Sequence, residues 1–125
     1  MKVLVTDQLF FKAGDECIFI VNQPYNDEYF MTPGKEYPGI IEEVRIGQST
    51  EVSMKNDKGE AVAHSQWFDC FSSGSVTVKA MVEGQEYIDR VYLYRSQKIK
   101  EIVESIKEEI ERLDRYVDSK LELAN

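Results

Sequence analysis

From Ser96 to Asn125 the chain holds neither glycine nor proline, and its apolar residues fall at a helical spacing. Ile99, Val103, Ile106, Ile110, Leu113 and Val117 are separated by four, three, four, three and four positions. This is a heptad seam, with Val103, Ile110 and Val117 at a and Ile99, Ile106 and Leu113 at d. Lys120 takes the next d position and ends it. Ile102, Tyr116 and Leu121 broaden the stripe beyond a strict seam. Glu108 with Arg112, and Glu111 with Arg115, stand four apart in the orientation that supports a helix. The start is signalled less well: Ser96 serves as a cap, but Lys98 and Lys100 oppose the helix dipole. A helix from Gln97 to Leu123 would extend about 40 Å.

Ahead of Ser96 the pattern is β. Lys2 to Thr6 reads as a short strand, and the apolar run Glu16 to Val21 as a strand buried on both faces. Asn22 to Tyr29 is loop by its Asn, Pro and Asp content. Thr32 to Tyr37 turns into a strand that ends near Ile46, with Pro38 at an edge or bulge. Val52 and Met54 alternate with polar neighbours. Asn56 to Gly59 is a hairpin turn, and Ala61 onward returns from it. Ser75 to Val82 and Glu86 to Tyr94 read as two strands flanking a second hairpin at "EGQE". Short strands at this spacing make a small barrel or two packed sheets. The fold class expected is α+β: a small antiparallel β-barrel over residues 1–95, then one long C-terminal α-helix over residues 96–125.

A domain of that size spans only about 25 Å. Each seam side chain left in water forgoes about 1.5–3 kcal/mol. Two arrangements relieve this: the helix folds back over the open end of its barrel, or copies associate along it. In a parallel pair Glu109 at g would face Asp114 at e, which repels. In an antiparallel pair centred near Ile110, Lys107 faces Asp114, which attracts. The expected partner is therefore self, as an antiparallel dimer, with Ile at both a and d also compatible with a higher oligomer.

Charge narrows the other partners. Fifteen basic against 23 acidic residues give −8. Such a surface repels nucleic-acid phosphates and anionic membranes, so neither is an expected partner, and it suits a protein with a basic surface, or simply solubility. Val3-Leu4-Val5 meets Asp7 too soon for a secretory signal, and no segment approaches the ~20 apolar residues that span a bilayer. The expected location is cytoplasmic. Cys17 and Cys70 lie far apart with no CxxC pair, which fits reduced thiols there and leaves a single disulfide open.

Chemistry finds little footing. His64 is the sole histidine and is expected at a surface or strand end; Ser65, Asp69 and Cys70 nearby match no catalytic arrangement. Cys17, His64 and Cys70 lack the short spacings of a zinc site. The glycines stand singly and make no phosphate loop. Glu42 and Glu43 are adjacent on a strand, hence on opposite faces. No enzyme activity, cofactor or metal is expected. The aromatic, acidic loop Pro24 to Phe30 is the candidate binding surface. Tyr25, Asp27, Glu28 and Tyr29 would make the contact, with Trp67 alongside if the barrel brings it there. Phe30 and Trp67 as core residues is the alternative.

"YFMTPGKEYPGIIEEV", "MKNDKGEA" and "QWFDCF", between Tyr29 and Phe71, resemble a small SH3-like β-barrel found in many short phage and prophage proteins of Gram-positive bacteria. The shared pattern is an aromatic, a Gly-Lys-x-Tyr strand entry, a long hairpin, an Asp-x-Gly turn and a closing aromatic strand. Pro38-Gly39 departs from its usual β-branched run. The resemblance implies an accessory phage protein that binds a host factor. The leading expectation is an oligomeric, non-enzymatic inhibitor of a host defence or transcription protein. Two alternatives differ in class: sequestration of a small nucleotide signal, using Lys79, Arg90 and Arg95, and acidic mimicry of DNA.

Overall fold

The computed structural model describes residues 1–23, 29–68 and 73–124, with side chains through Leu121. It divides into two compact units, Met1–Tyr87 and Ile88–Asn125. The first is built on a six-stranded antiparallel sheet in the order β1-β6-β2-β3-β4-β5. Its strands are β1 (Lys2–Val5), β2 (Glu16–Val21), β3 (Glu36–Arg45), β4 (Ser49–Lys55), β5 (Ala61–Trp67) and β6 (Val76–Glu83). One helix follows, α1 (Gly84–Ala124).

Alternation sets the inner face. Cys17, Phe19 and Val21 on β2, Val76, Val78, Ala80 and Val82 on β6, Ile41 on β3, and Val52 and Met54 on β4 are all buried. Val5 on β1, with Phe11, Met31 and Tyr37, completes this core. The β2 run is fully buried on one face only; Ile18 and Ile20 on the other are half-buried, so the expectation of burial on both faces does not hold.

The sheet curls. Phe19 on β2 and His64 on β5 stand three strands apart, roughly 14 Å across a flat sheet. Their ring centroids lie 5.9 Å apart. β1 and β5 remain the two ends of the ladder, so the sheet is open in its hydrogen bonding.

A bulge lies in β3. Ile41 pairs with Val52 and Glu43 with Glu51, which leaves Glu42 as an extra residue. Glu42 and Glu43 are consequently both exposed between inward Ile41 and half-buried Val44. The expectation of opposite faces for the two carboxylates does not hold. The bulge is at Glu42 and not at Pro38, which pairs with Ile18 just beyond the end of the β4 ladder.

Gln8, in a short 3-10 turn after β1, stitches the β3–β4 connection together. Its Nε2 donates to Arg45 O (3.0 Å), Ser49 O (2.9 Å) and Thr50 Oγ1 (3.0 Å). Its Oε1 accepts from the Gly47 N–H at 2.9 Å. A buried amide with both ends satisfied fixes a turn far better than a solvated one.

The helix begins at Gly84, not Ser96, directly after β6. "EGQE" is thus the entry to a helix and not a hairpin, and Glu86–Tyr94 is not a strand. The β-favouring Tyr, Ile and Val content of that segment misleads. Its burial has a helical period instead, with Tyr87, Val91 and Tyr94 half-buried at spacings of four and three. Two contacts tie the first turn into the sheet unit: the Gly84 N–H donates to Met1 O at 3.1 Å, and Tyr87 meets Phe10 edge-on with centroids 5.9 Å apart. At 41 residues, α1 is about 60 Å long. Among the described residues no helix is long and apolar enough to cross a membrane.

Candidate functional site

Two apolar surfaces on the sheet unit, and one along the helix, are open to a partner. The first surrounds Tyr29 and Phe30, exposed by 42% and 40%. Sequence alone allowed Phe30 and Trp67 to be core; both are exposed. Phe30 holds φ at 55°, the one positive value at a non-glycine residue among those described. A left-handed conformation there costs about 1–2 kcal/mol, so neighbouring contacts must hold it.

The β4–β5 turn supplies them. Asn56 Nδ2 donates to Tyr29 O at 3.2 Å, and the Asp57 N–H donates to Phe30 O at 2.9 Å. Asn56 Oδ1 in turn accepts from the Lys58 and Glu60 N–H groups, both at 3.0 Å. Lys58 Nζ sits 3.5 Å from the Phe30 ring centroid, a cation–π contact.

Asp57 is the hub. Its carboxylate accepts from Lys35 Nζ (2.7 Å), Thr32 Oγ1 (2.7 Å) and Tyr37 Oη (2.9 Å). The Tyr37 oxygen also accepts from the Thr32 N–H at 2.6 Å. Lys35 first, then Thr32 and Tyr37, hold the carboxyl at about 2, down from 3.8. The folded value lies below the unfolded one. The stabilisation it brings is therefore present above about pH 5 and is lost as pH falls toward 2. Thermal melts of the parent and Asp57→Asn across that interval should differ most at pH 5 and converge near pH 2.

His64 is buried, against the expectation of a surface position. It lies between Phe19 and Tyr29, the latter edge-on at 4.9 Å. Burial pushes its imidazole below the usual range. Its role is to back the exposed tyrosine with a flat, packed ring.

Of the second surface, sequence reasoning picks out Trp67 alone. Leu9, Ile46 and Phe68 are exposed and border one depression with Gly47 and Asp7. The Phe68 N–H donates to Gln48 O at 3.0 Å, which docks the end of β5 on the β3–β4 turn. Trp67, opposite Ser49, belongs to this end. It is separated from the turn that holds Tyr29 by roughly 20 Å of strand, so the two aromatics do not form one patch. The cluster Trp67-Phe68 was the available sequence signal; what it lacked was the fold that adds Leu9 and Ile46.

Tyr25, Asp27 and Glu28 lie outside the described residues, as does Cys70. Cys17 is free and wholly buried. Lys79 is on the outer face of β6 in the sheet unit, whereas Arg90 and Arg95 belong to the helix unit. Among the described residues no group of three His, Cys, Asp or Glu could hold a metal ion.

The third surface is the stripe on α1. Ile99, Val103, Ile106, Ile110, Leu113 and Val117 are each 42–54% exposed, and Ile102, Tyr116 and Leu121 are 58–59% exposed.

Neither a family model nor a curated protein nor a solved structure matches this chain.

Proposed function

We propose that this is a non-enzymatic interaction protein that self-associates through α1 and uses the sheet unit to bind and block another protein. The observation that carries the proposal is the stripe, in which no residue from Ile99 to Leu121 is buried. Apolar surface of that extent on a soluble chain marks an association site. The −8 charge favours a basic partner and speeds its encounter. Tyr29 and Phe30, fixed on a rigid turn, are aromatic anchors of the kind that dominate binding energy.

The proposal includes the finer expectation of an SH3-like phage accessory protein acting on a host factor in the cytoplasm. Its supports are the long β3–β4 hairpin and the Asn56–Gly59 turn, together with the quoted resemblance. The decisive experiment begins with a basic protein captured from a Gram-positive host lysate by the full chain. Titration calorimetry then compares the parent with Tyr29→Ala and Phe68→Ala. A loss of about tenfold or more in affinity for one of them is expected, with binding weakened by added salt. Unchanged affinity in both would remove the sheet unit from the proposal. Heat stabilisation by nucleotides, with no protein captured, would replace it with small-molecule sequestration.

A further inference from the structure

A two-fold dimer buries the same patch on both copies, so the patch must read alike in both directions about the axis. The stripe on α1 meets that demand at one place. Ile99 and Val117, Val103 and Leu113, and Ile106 and Ile110 are three apolar pairs, and each pair is centred on Glu108. Each couples an a position with a d position, which is how antiparallel helices form their core layers. We propose that two copies pair antiparallel with the two-fold axis at Glu108, which deepens, and rests on, the self-association proposed above.

In this register all six seam residues are used on both copies, giving six apolar layers. Moving the axis by half a heptad toward the C-terminus would set Ile99 against only Ala124 and bring Lys120 into a core layer against Val103. The flanks agree with the core. On one edge the partner's Asp114 comes level with Ile102, between Lys100 and Lys107 of the first copy, and the symmetric contact repeats it. On the other edge the partner's Tyr116 arrives beside Ile102. Farther out, the partner's Leu121 reaches the level of Leu93, itself exposed.

Two like-charge contacts fall at the axis, Lys107 with its copy and Glu109 with its copy. Each is already neutralised within its own helix. Lys107 Nζ lies 3.7 Å from Glu104, and Arg112 Nε donates to Glu109 at 3.1 Å. A parallel pair instead sets Arg95 against Lys100 and Glu109 against Asp114, with no opposite charges across the seam to offset them. Antiparallel pairing about Glu108 also separates the two points where α1 leaves the sheet units by about 60 Å. Two-fold symmetry gives the assembly two identical sheet units.

Cysteine cross-linking of the full chain tests the register. The background is Cys70→Ser, with Cys17 left in place because it is buried. Ile99→Cys and Val117→Cys chains are oxidised separately and after mixing, at tens of micromolar, alongside light scattering. The expected result is a mass of two chains and a disulfide that forms only in the mixture. A disulfide with Ile99→Cys alone would overturn the proposal in favour of parallel pairing. Cross-linking of Ile106→Cys with Val117→Cys, but not of Ile99→Cys with Val117→Cys, would overturn the register while leaving an antiparallel dimer. A mass above two chains would overturn the dimer. A mass of one chain, with no cross-link in any mixture, would overturn self-association itself and with it the reading under Proposed function.

Discussion

Phe19→Ala should destabilise the sheet unit by about 3–5 kcal/mol, the largest loss expected from any single truncation here. Phe19 is completely buried on β2, which pairs with β6 on one side and β3 on the other. Its ring also stacks against His64, at an interplanar angle of 25°. Removing it takes away the group on which the curl of the sheet closes, and the strands around the gap are held by ladders on both sides and collapse only in part. The loss is a large fraction of the stability of a small domain, about 5–15 kcal/mol. Urea unfolding followed by circular dichroism reads it as a fall in midpoint. The comparison is made at one protein concentration, since self-association makes apparent stability concentration-dependent. A change under about 1 kcal/mol would mean the core does not converge on this ring.

Gly39→Ala should cost about 1–3 kcal/mol although it adds a single methyl group. A Cβ at Gly39 would lie 2.7 Å from the Ser53 carbonyl oxygen and 2.9 Å from Val52 Cγ1, with Met54 Cβ at 3.4 Å. The closest of these is backbone, so β3 and β4 must separate to admit it. Gly39 is also held from the other side by its pairing with Cys17, which prevents β3 from moving away. For a domain of this size each kcal/mol lowers the melting temperature by about 4–8 °C. A melt unchanged from the parent would show that the β3–β4 ladder gives way more easily than its register implies. The same geometry explains why Pro38-Gly39 interrupts a run otherwise suited to β-branched residues: the inner face has no space there for a side chain.

The strands were legible because burial on one face leaves a period of two. Val52 and Met54 announce β4, and Asn56–Gly59 announces the turn after it. Local pattern failed where the deciding contact is distant in sequence. His64 looks like any polar residue in a strand, and only the curl that brings β5 over Phe19 buries it. Gln8 carries no motif, yet its amide closes a turn some forty positions away. The extra residue at Glu42 is visible only as a mismatch between two strands. The helix start was missed because Tyr87, Ile88, Val91 and Tyr92 favour strands by type while obeying a helical period by position. Tertiary setting outweighs such propensities. Of the candidate sites, the stripe on α1 was fully legible, being a matter of spacing alone. The anchoring of Tyr29 and Phe30 by Asn56 and Asp57 was not, since neither side chain names its partner.

The thiol of Cys17 has a use beyond filling space. Burial, with Asp15 nearby, raises it to about 12, so at ordinary pH it offers alkylating reagents neither access nor a thiolate. Modification of this sulfur therefore records only those molecules whose middle strand has come apart. With Cys70→Ser, alkylation of the chain's own Cys17, read by mass, is a clock for global opening that needs no engineered cysteine.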